Sequence, residues 1–189
     1  MDIEIYKKSL DKLSEYRRIH CYNVSKEAVR LAKKYGADVK KAEIAGLLRD
    51  ITKELPNDLQ LKIISDGGII LSEVEKCSPK LWHAVSASVY IQQEFSIVDQ
   101  DIINAVRYHT TARKNMSLLE KIVLLADFTS ADRKYDDIDV IRKYADISLD
   151  DGILYALEFT ISKLSKRGSM LSIDAVEAYN EILLNRQQM

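Results

Sequence analysis

The scarcity of punctuation constrains this chain most. Its 189 residues contain two prolines, Pro56 and Pro79, and six glycines, so few positions force a turn or break a helix. Alternating strand patterns are scarce and no βαβ repeat can be traced, whereas apolar residues recur at three-to-four spacing. The expectation is an all-α fold. The length suits one compact domain with a sizeable core, read here as a single helical bundle over residues 1–189.

The spacing predicts a short helix over Ile5–Tyr16 and a longer one over Arg17–Tyr35, closed by Gly36. His20 precedes Val24 and Ala28 by one and two helical turns, so it shares their inward face. Asp38 caps a helix running to about Asp50. Pro56 breaks the chain, and the stretch from Asn57 to Lys76, interrupted by Gly67-Gly68, reads as short helices. Pro79 opens a helix to about Glu94. Asp99 starts another, with Ile102, Val106 and His109 on one stripe. Leu118–Phe128 is strongly apolar and carries Asp127 near its end. Asp136-Asp137 breaks the pattern before helices at Asp139–Tyr144, Leu149–Lys166 and Ser172–Leu184.

Lys and Arg number 28 against 29 Asp and Glu, a formal charge of -1. No global positive field is available to hold nucleic acid, so a polyphosphate ligand needs a local cationic site or a metal. Two cysteines, Cys21 and Cys77, make no disulfide framework and read as reduced thiols of a cytoplasmic protein. The N-terminal MDIEIYKKSLDKL has no basic leader followed by an apolar core, and no apolar run approaches the ~18 residues of a membrane span.

The chemistry concentrates around Leu47-Leu48-Arg49-Asp50-Ile51-Thr52-Lys53, where three ionisable groups abut the apolar run from Ala42 to Leu48. Such a run either ends a helix in solvent or enters a functional pocket. His20, His83, His109 and Asp127 favour the pocket, because each falls in or at the end of a separate helix. Helices of one bundle can aim such side chains into its core. Imidazole and carboxylate are suitable ligands for Fe, Mn, Ni or Zn. Taken singly, a histidine is as readily a core or surface residue as a ligand. Asp50 and Asp127 fit that bland reading worst, since each follows an apolar run where an unpaired carboxylate is costly. No Gly-rich phosphate loop is present, and neither cysteine has an evident base partner.

The fragments Arg17-Arg18-Ile19-His20, Ala45 through Lys53, Tyr108-His109-Thr110-Thr111, Leu124-Leu125-Ala126-Asp127 and Asp132-Arg133 together resemble a known family. It is the bacterial YqeK-type branch of the HD-domain metal-dependent phosphohydrolases, associated with symmetrical cleavage of diadenosine tetraphosphate to two adenosine diphosphates. The resemblance runs from about Tyr6 to Leu184. It implies a small, all-helical cytoplasmic enzyme with a small nucleotide substrate. It implies neither a nucleic-acid nor a membrane partner and leaves a homodimer open. The implied cofactor is a metal, iron first and Mn, Ni or Co next, at a centre that often holds two ions. His20, Asp50 and Asp127 are then ligands of the principal metal. Asp50 bridges toward a second, to which His83 and His109 contribute. Asp50 and Lys53 stand closest to the chemistry, and Lys53, Arg133, Thr110 and Thr111 meet the substrate.

One departure bears on all of this. The family carries histidine immediately before the aspartate, whereas this chain has Arg49-Asp50. Arginine stays protonated and has no lone pair for a metal. Either Arg49 turns away and the metal keeps fewer ligands, or Arg49 occupies the site and replaces metal charge, or the chain is an altered copy of a competent enzyme. A nucleotide-binding remnant with little hydrolysis is the competing reading. The family also places glycine after His-Thr-Thr, where Ala112 stands here.

Overall fold

A computed structural model describes residues 3–188; residues 1, 2 and 189 of the expected domain lie outside the described residues. Among the described residues every regular element is helical. The order is α1 (Ile3–Ser9), a 3-10 turn (Leu10–Lys12), α2 (Glu15–Tyr35), α3 (Val39–Leu48), α4 (Asn57–Asp66) and α5 (Glu73–Lys76). It continues with α6 (Pro79–Phe95), α7 (Gln100–Tyr108), α8 (Leu118–Thr129), α9 (Ile138–Ile147), α10 (Leu149–Lys166) and α11 (Ile173–Gln187). Among the described residues no helix is long and apolar enough to cross a membrane.

The core is built around α8. Ile122 to Ala126 are buried without interruption, as expected of a helix that is apolar on every side. It packs against α2, α3, α7 and α10. Each buried Leu or Ile in that run contributes roughly 1.5–3 kcal/mol relative to exposure. The run therefore fixes where Asp127, the next residue, emerges.

Helices α2 and α3 cross so closely that a Cβ added at Gly46 would lie 2.8 Å from Ser25 Cα. The Ser25 hydroxyl donates to the Glu43 carbonyl across the crossing at 3.0 Å. This approach brings His20 on α2 beside the end of α3. Beyond Leu48 the chain tightens into successive turns, with Ile51, Lys53 and Leu55 donating to the carbonyls of Leu48, Asp50 and Thr52. Arg49, Asp50 and Lys53 consequently leave the backbone within one compact turn.

Several expected boundaries move, α11 among them, which runs to Gln187 rather than Leu184. The helix expected over Ile5–Tyr16 is interrupted, because Leu13 is extended and the Ser14 side chain caps α2 by accepting from the Arg17 N–H. Glu54 holds that cap in turn, accepting from the Ser14 N–H at 2.7 Å and the Ser14 hydroxyl at 2.6 Å. Helix α9 reaches Ile147 rather than Tyr144, because Ile141 and Ala145 bury against its neighbours. The 57–76 stretch forms the expected short helices, α4 and α5, with α5 fixed by a Ser72–Glu75 capping box. The Trp82 indole also donates to the Glu75 carbonyl at 2.7 Å.

Candidate metal centre

Five elements converge on one buried point. His20 comes from the second turn of α2, Asp50 from the turn after α3, His83 from α6, His109 from the end of α7 and Asp127 from the last turn of α8. They form two clusters that share Asp50: Asp50, His83 and His109, and His20, Asp50 and Asp127. Within each cluster the ligand-capable atoms lie within 4.8 Å of one another.

In the first cluster His83 Nδ1 donates to the Lys80 carbonyl at 2.9 Å, and His109 Nδ1 to the Val106 carbonyl at 2.7 Å. With those protons committed, each Nε2 presents a lone pair. The two Nε2 atoms face each other at 3.3 Å, and Asp50 Oδ1 lies 3.2 Å from one and 3.6 Å from the other. Lys53 Nζ stands 3.0 Å from both nitrogens of His83, equidistant and therefore not aligned with the Nε2 lone pair. Three converging lone-pair atoms call for a shared proton or a cation. Burial pushes the His83 imidazole down to about 4, reinforced by His109 and Lys53 and opposed by Asp50, which disfavours the proton. This donor set fits one divalent cation.

The second cluster already contains its cation. Arg49 is fully buried and turns inward. Its Nη2 donates to His20 Nε2 at 2.5 Å and to Asp127 Oδ1 at 2.7 Å, and lies 3.3 Å from Asp50 Oδ2. Its Nε also reaches Asp127 Oδ1 at 3.2 Å, and its Nη1 donates to the Gly46 carbonyl at 3.0 Å. One guanidinium nitrogen thus touches all three groups that a metal would need. His20 Nδ1 donates to Asp132 Oδ2 at 2.6 Å, so its Nε2 is the acceptor that Arg49 requires.

Electrostatics stabilise this arrangement. Burial alone would raise the carboxyl pKa values of Asp50 and Asp127. Arg49 overcomes that penalty at both, joined by Arg133 at Asp127, holding both well below the usual range. Burial opposes the Arg49 charge, yet Asp127 and Asp50 push its pKa further up. Burial pulls Lys53 down, with Asp50 opposing. The His20–Asp50–Asp127 set therefore does not fit a second metal while Arg49 lies in it.

The HD domain model matches residues 17–132, which contain every residue of both clusters. The chain belongs to the HD-domain family. This is a family of phosphohydrolases, and its all-α architecture is the one observed. A symmetrical bis(5'-nucleosyl)-tetraphosphatase of Bacillus subtilis (strain 168) is 34% identical over 169 residues, covering 89% of this chain and 90% of the relative. The protein of the same description from Halalkalibacterium halodurans is 34% identical over 175 residues, covering 93% of each. A crystal structure described as a predicted HD superfamily hydrolase involved in NAD metabolism, from Clostridium acetobutylicum, is 33% identical. It superposes with a TM-score of 0.94 over 98% of both chains.

Within this HD-domain chain the remaining candidate residues divide. Lys53 and His83 face a cavity that also includes Asn57 and Gln60. Arg133 lies at the rim, where its Nη2 and Nε donate to Asp127 Oδ1 at 2.8 Å and to the Asp127 carbonyl at 2.7 Å. Thr110 and Thr111 line a separate cavity behind His109. Two further residues were not assigned from sequence. Asp132 orients His20 from 112 positions away, and Arg17 Nη1 donates to Asp50 Oδ2 at 2.9 Å. Arg17 lies one helical turn before His20, a spacing that could have flagged it. Asp132 stands in the Asp132-Arg133 fragment that carries the resemblance, but its contact with His20 has no local signal.

Proposed function

We propose that this chain binds diadenosine tetraphosphate and hydrolyses it symmetrically to two adenosine diphosphates, at a rate depressed by Arg49. The substrate reading rests on relatives described as symmetrical bis(5'-nucleosyl)-tetraphosphatases. The Asp50–His83–His109 convergence supports a residual metal requirement, with iron first and Mn, Ni or Co as alternatives. A divalent ion held there supplies a Lewis acid for a phosphate oxygen and a lowered pKa for water. The surrounding side chains do the rest. Asp50 stays ionised, Lys53 sits over His83, and Arg17 and Arg133 flank the two carboxylates, so cations surround the place where phosphate charge is to be met.

In the symmetrical reaction a water oxygen bonds to one inner phosphorus while the central bridging P–O bond breaks. One adenosine diphosphate departs on the bridging oxygen, and the other carries the new oxygen. Charge grows on the bridging oxygen and the equatorial oxygens, where Lys53 and the rim arginines act. Free thiols at Cys21 and Cys77 support a reducing, cytoplasmic setting.

The guanidinium in the His20–Asp50–Asp127 cluster also supports a second reading, a nucleotide-binding HD-domain protein with little or no hydrolysis. Arg49→His measured beside the present chain separates the two. Metal content and tetraphosphate products are followed in the same preparations with Mn(II) or Fe(II). The present chain should release adenosine diphosphate slowly, and the histidine variant should retain more metal and turn over at least about tenfold faster. Triphosphate plus monophosphate would refute symmetrical cleavage. No turnover by the present chain with any of these metals would establish the second reading.

A further inference from the structure

The turn that follows α3 meets α6 at one residue, His83. Asp50 Oδ1 lies 3.2 Å from His83 Nε2, and Lys53 Nζ stands 3.0 Å from both nitrogens of the same ring. Thr52, on the same turn, reaches the backbone instead. Its hydroxyl donates to the His83 carbonyl at 2.9 Å. The Ser86 hydroxyl lies 2.8 Å from Thr52 Oγ1 and 3.3 Å from that carbonyl. With the single Thr52 proton given to the carbonyl, the Ser86 proton goes to Thr52 Oγ1, its nearer acceptor. Thr52 is thus the hub of a closed polar triangle, and both hydroxyl-bearing side chains are completely buried.

Hydroxyls are unexpected at this place. Their chain neighbours Ile51, Val85 and Ala87 are buried and apolar, so valine and alanine at 52 and 86 would suit the burial equally well. Apolar contact is non-directional and lets a helix slide by a fraction of an ångström, whereas a hydrogen bond has a preferred length and angle. Metal ligands must stand within about 0.2 Å of their proper distances. The Lys80 carbonyl already fixes the His83 ring relative to α6 by accepting from Nδ1. It remains to fix α6 relative to the turn that carries Asp50. The contacts of Asp50 and Lys53 end on the imidazole that a cation would engage. Those of Thr52 end on the carbonyl and on Ser86, so they hold whether or not a cation is bound.

We infer that Thr52 is a positioning residue, whose hydroxyl, backed by Ser86, sets the separation of Asp50 and His83 at which a divalent cation is held. The inference rests on the metal reading of the Asp50–His83–His109 cluster and adds the group that fixes its dimensions. Mn(II) binding to the full chain is measured by calorimetry, with the metal-free melting temperature beside it. Thr52→Val keeps the shape and removes the hydroxyl, while Thr52→Ser keeps the hydroxyl. Ser88→Ala is the control, since the Ser88 hydroxyl is buried on the same helix but donates within it, to the Val85 carbonyl at 2.7 Å. Thr52→Val should weaken Mn(II) at least about tenfold, with Thr52→Ser and Ser88→Ala within about twofold of the present chain. Ser86→Ala should weaken it by less than Thr52→Val, because Thr52 keeps its bond to the carbonyl. Thr52→Val and Ser88→Ala each lose one buried hydroxyl, so their melting temperatures should fall alike and only the metal affinity should separate them. Unchanged affinity in Thr52→Val, or an equal loss in Thr52→Ser or Ser88→Ala, would overturn the positioning role. Should Thr52→Val fail to fold, unchanged affinity in Ser86→Ala would overturn it instead. A present chain that binds no Mn(II) would overturn the metal reading itself, and the positioning role with it.

Discussion

Asp50 presents one carboxylate oxygen to each of two neighbourhoods. On the Oδ2 side, His20 and Asp127 are bridged by Arg49, a cation that belongs to the chain and cannot leave. On the Oδ1 side, His83 and His109 direct two lone pairs at the same carboxylate, and the side chain that approaches, Lys53, is not aligned with them. The folds of the two neighbourhoods are alike in kind, helix ends meeting in a dry core. What differs is who supplies the positive charge. A buried cluster of this type needs a cation to be stable, and a permanent one converts a binding site into a structural ion pair.

The strongest way to break the comparison is Arg49→Ala. It leaves Asp127 and Asp50 buried without their main cation, a loss of about 3–5 kcal/mol for one partner of a buried pair. In a domain of this size the melting temperature should fall by roughly 10 °C. Added Mn(II) should recover far more of that loss than it adds to the present chain. A fall of less than about 3 °C in differential scanning fluorimetry would mean that Arg49 does not hold the cluster together.

His109→Ala tests the other side. Metal affinity measured by titration should drop on the order of a hundredfold, while metal-free stability changes much less than in Arg49→Ala. If metal binding survives intact, the converging lone pairs are not its site. Asp132→Asn should weaken the charged bond that orients His20 and lower stability by about 1 kcal/mol. Metal content should be unaltered, because the surviving cation site does not use His20; chemical denaturation and metal analysis check the two halves.

The smallest effect is expected at the second departure from the family pattern. Ala112 is left-handed, with φ of 60°, and wholly buried. Ala112→Gly relieves roughly 1 kcal/mol of backbone strain. It also loses a buried methyl and loosens the unfolded chain, costs of similar size. Net stability should move by less than about 0.5 kcal/mol. Two departures from one pattern would then differ in consequence: one side chain replaces an ion, and the other only adjusts a turn.

The fold was legible in the sequence because helix signals are local. Ser and Asp caps, Pro79 at a first turn and the apolar run of α8 all act within a few residues. The break before Ser14 was missed because it depends on Glu54, 40 residues away, which holds the cap. His20, Asp50 and Asp127 were identifiable as residue types beside apolar runs. Arg49 was visible as an anomaly, but its direction was not, since that is decided by His20 and Asp127 from two other helices. The partners Asp132 and Arg17 are likewise products of tertiary approach.

The shared carboxylate makes the two neighbourhoods thermodynamically linked. Whatever neutralises Oδ2 draws charge density that Oδ1 would otherwise offer, and such coupling is reciprocal. In a site loaded with two free ions, supply of one would tune retention of the other. Here Arg49 acts as an effector tethered at infinite effective concentration, so the remaining cation site has a single affinity setting that no metal supply can change. Conversely, an ion taken up between His83 and His109 must loosen the hold of Asp50 on Arg17 and Arg49, and the first report of metal arrival should be a shift of those two guanidinium groups.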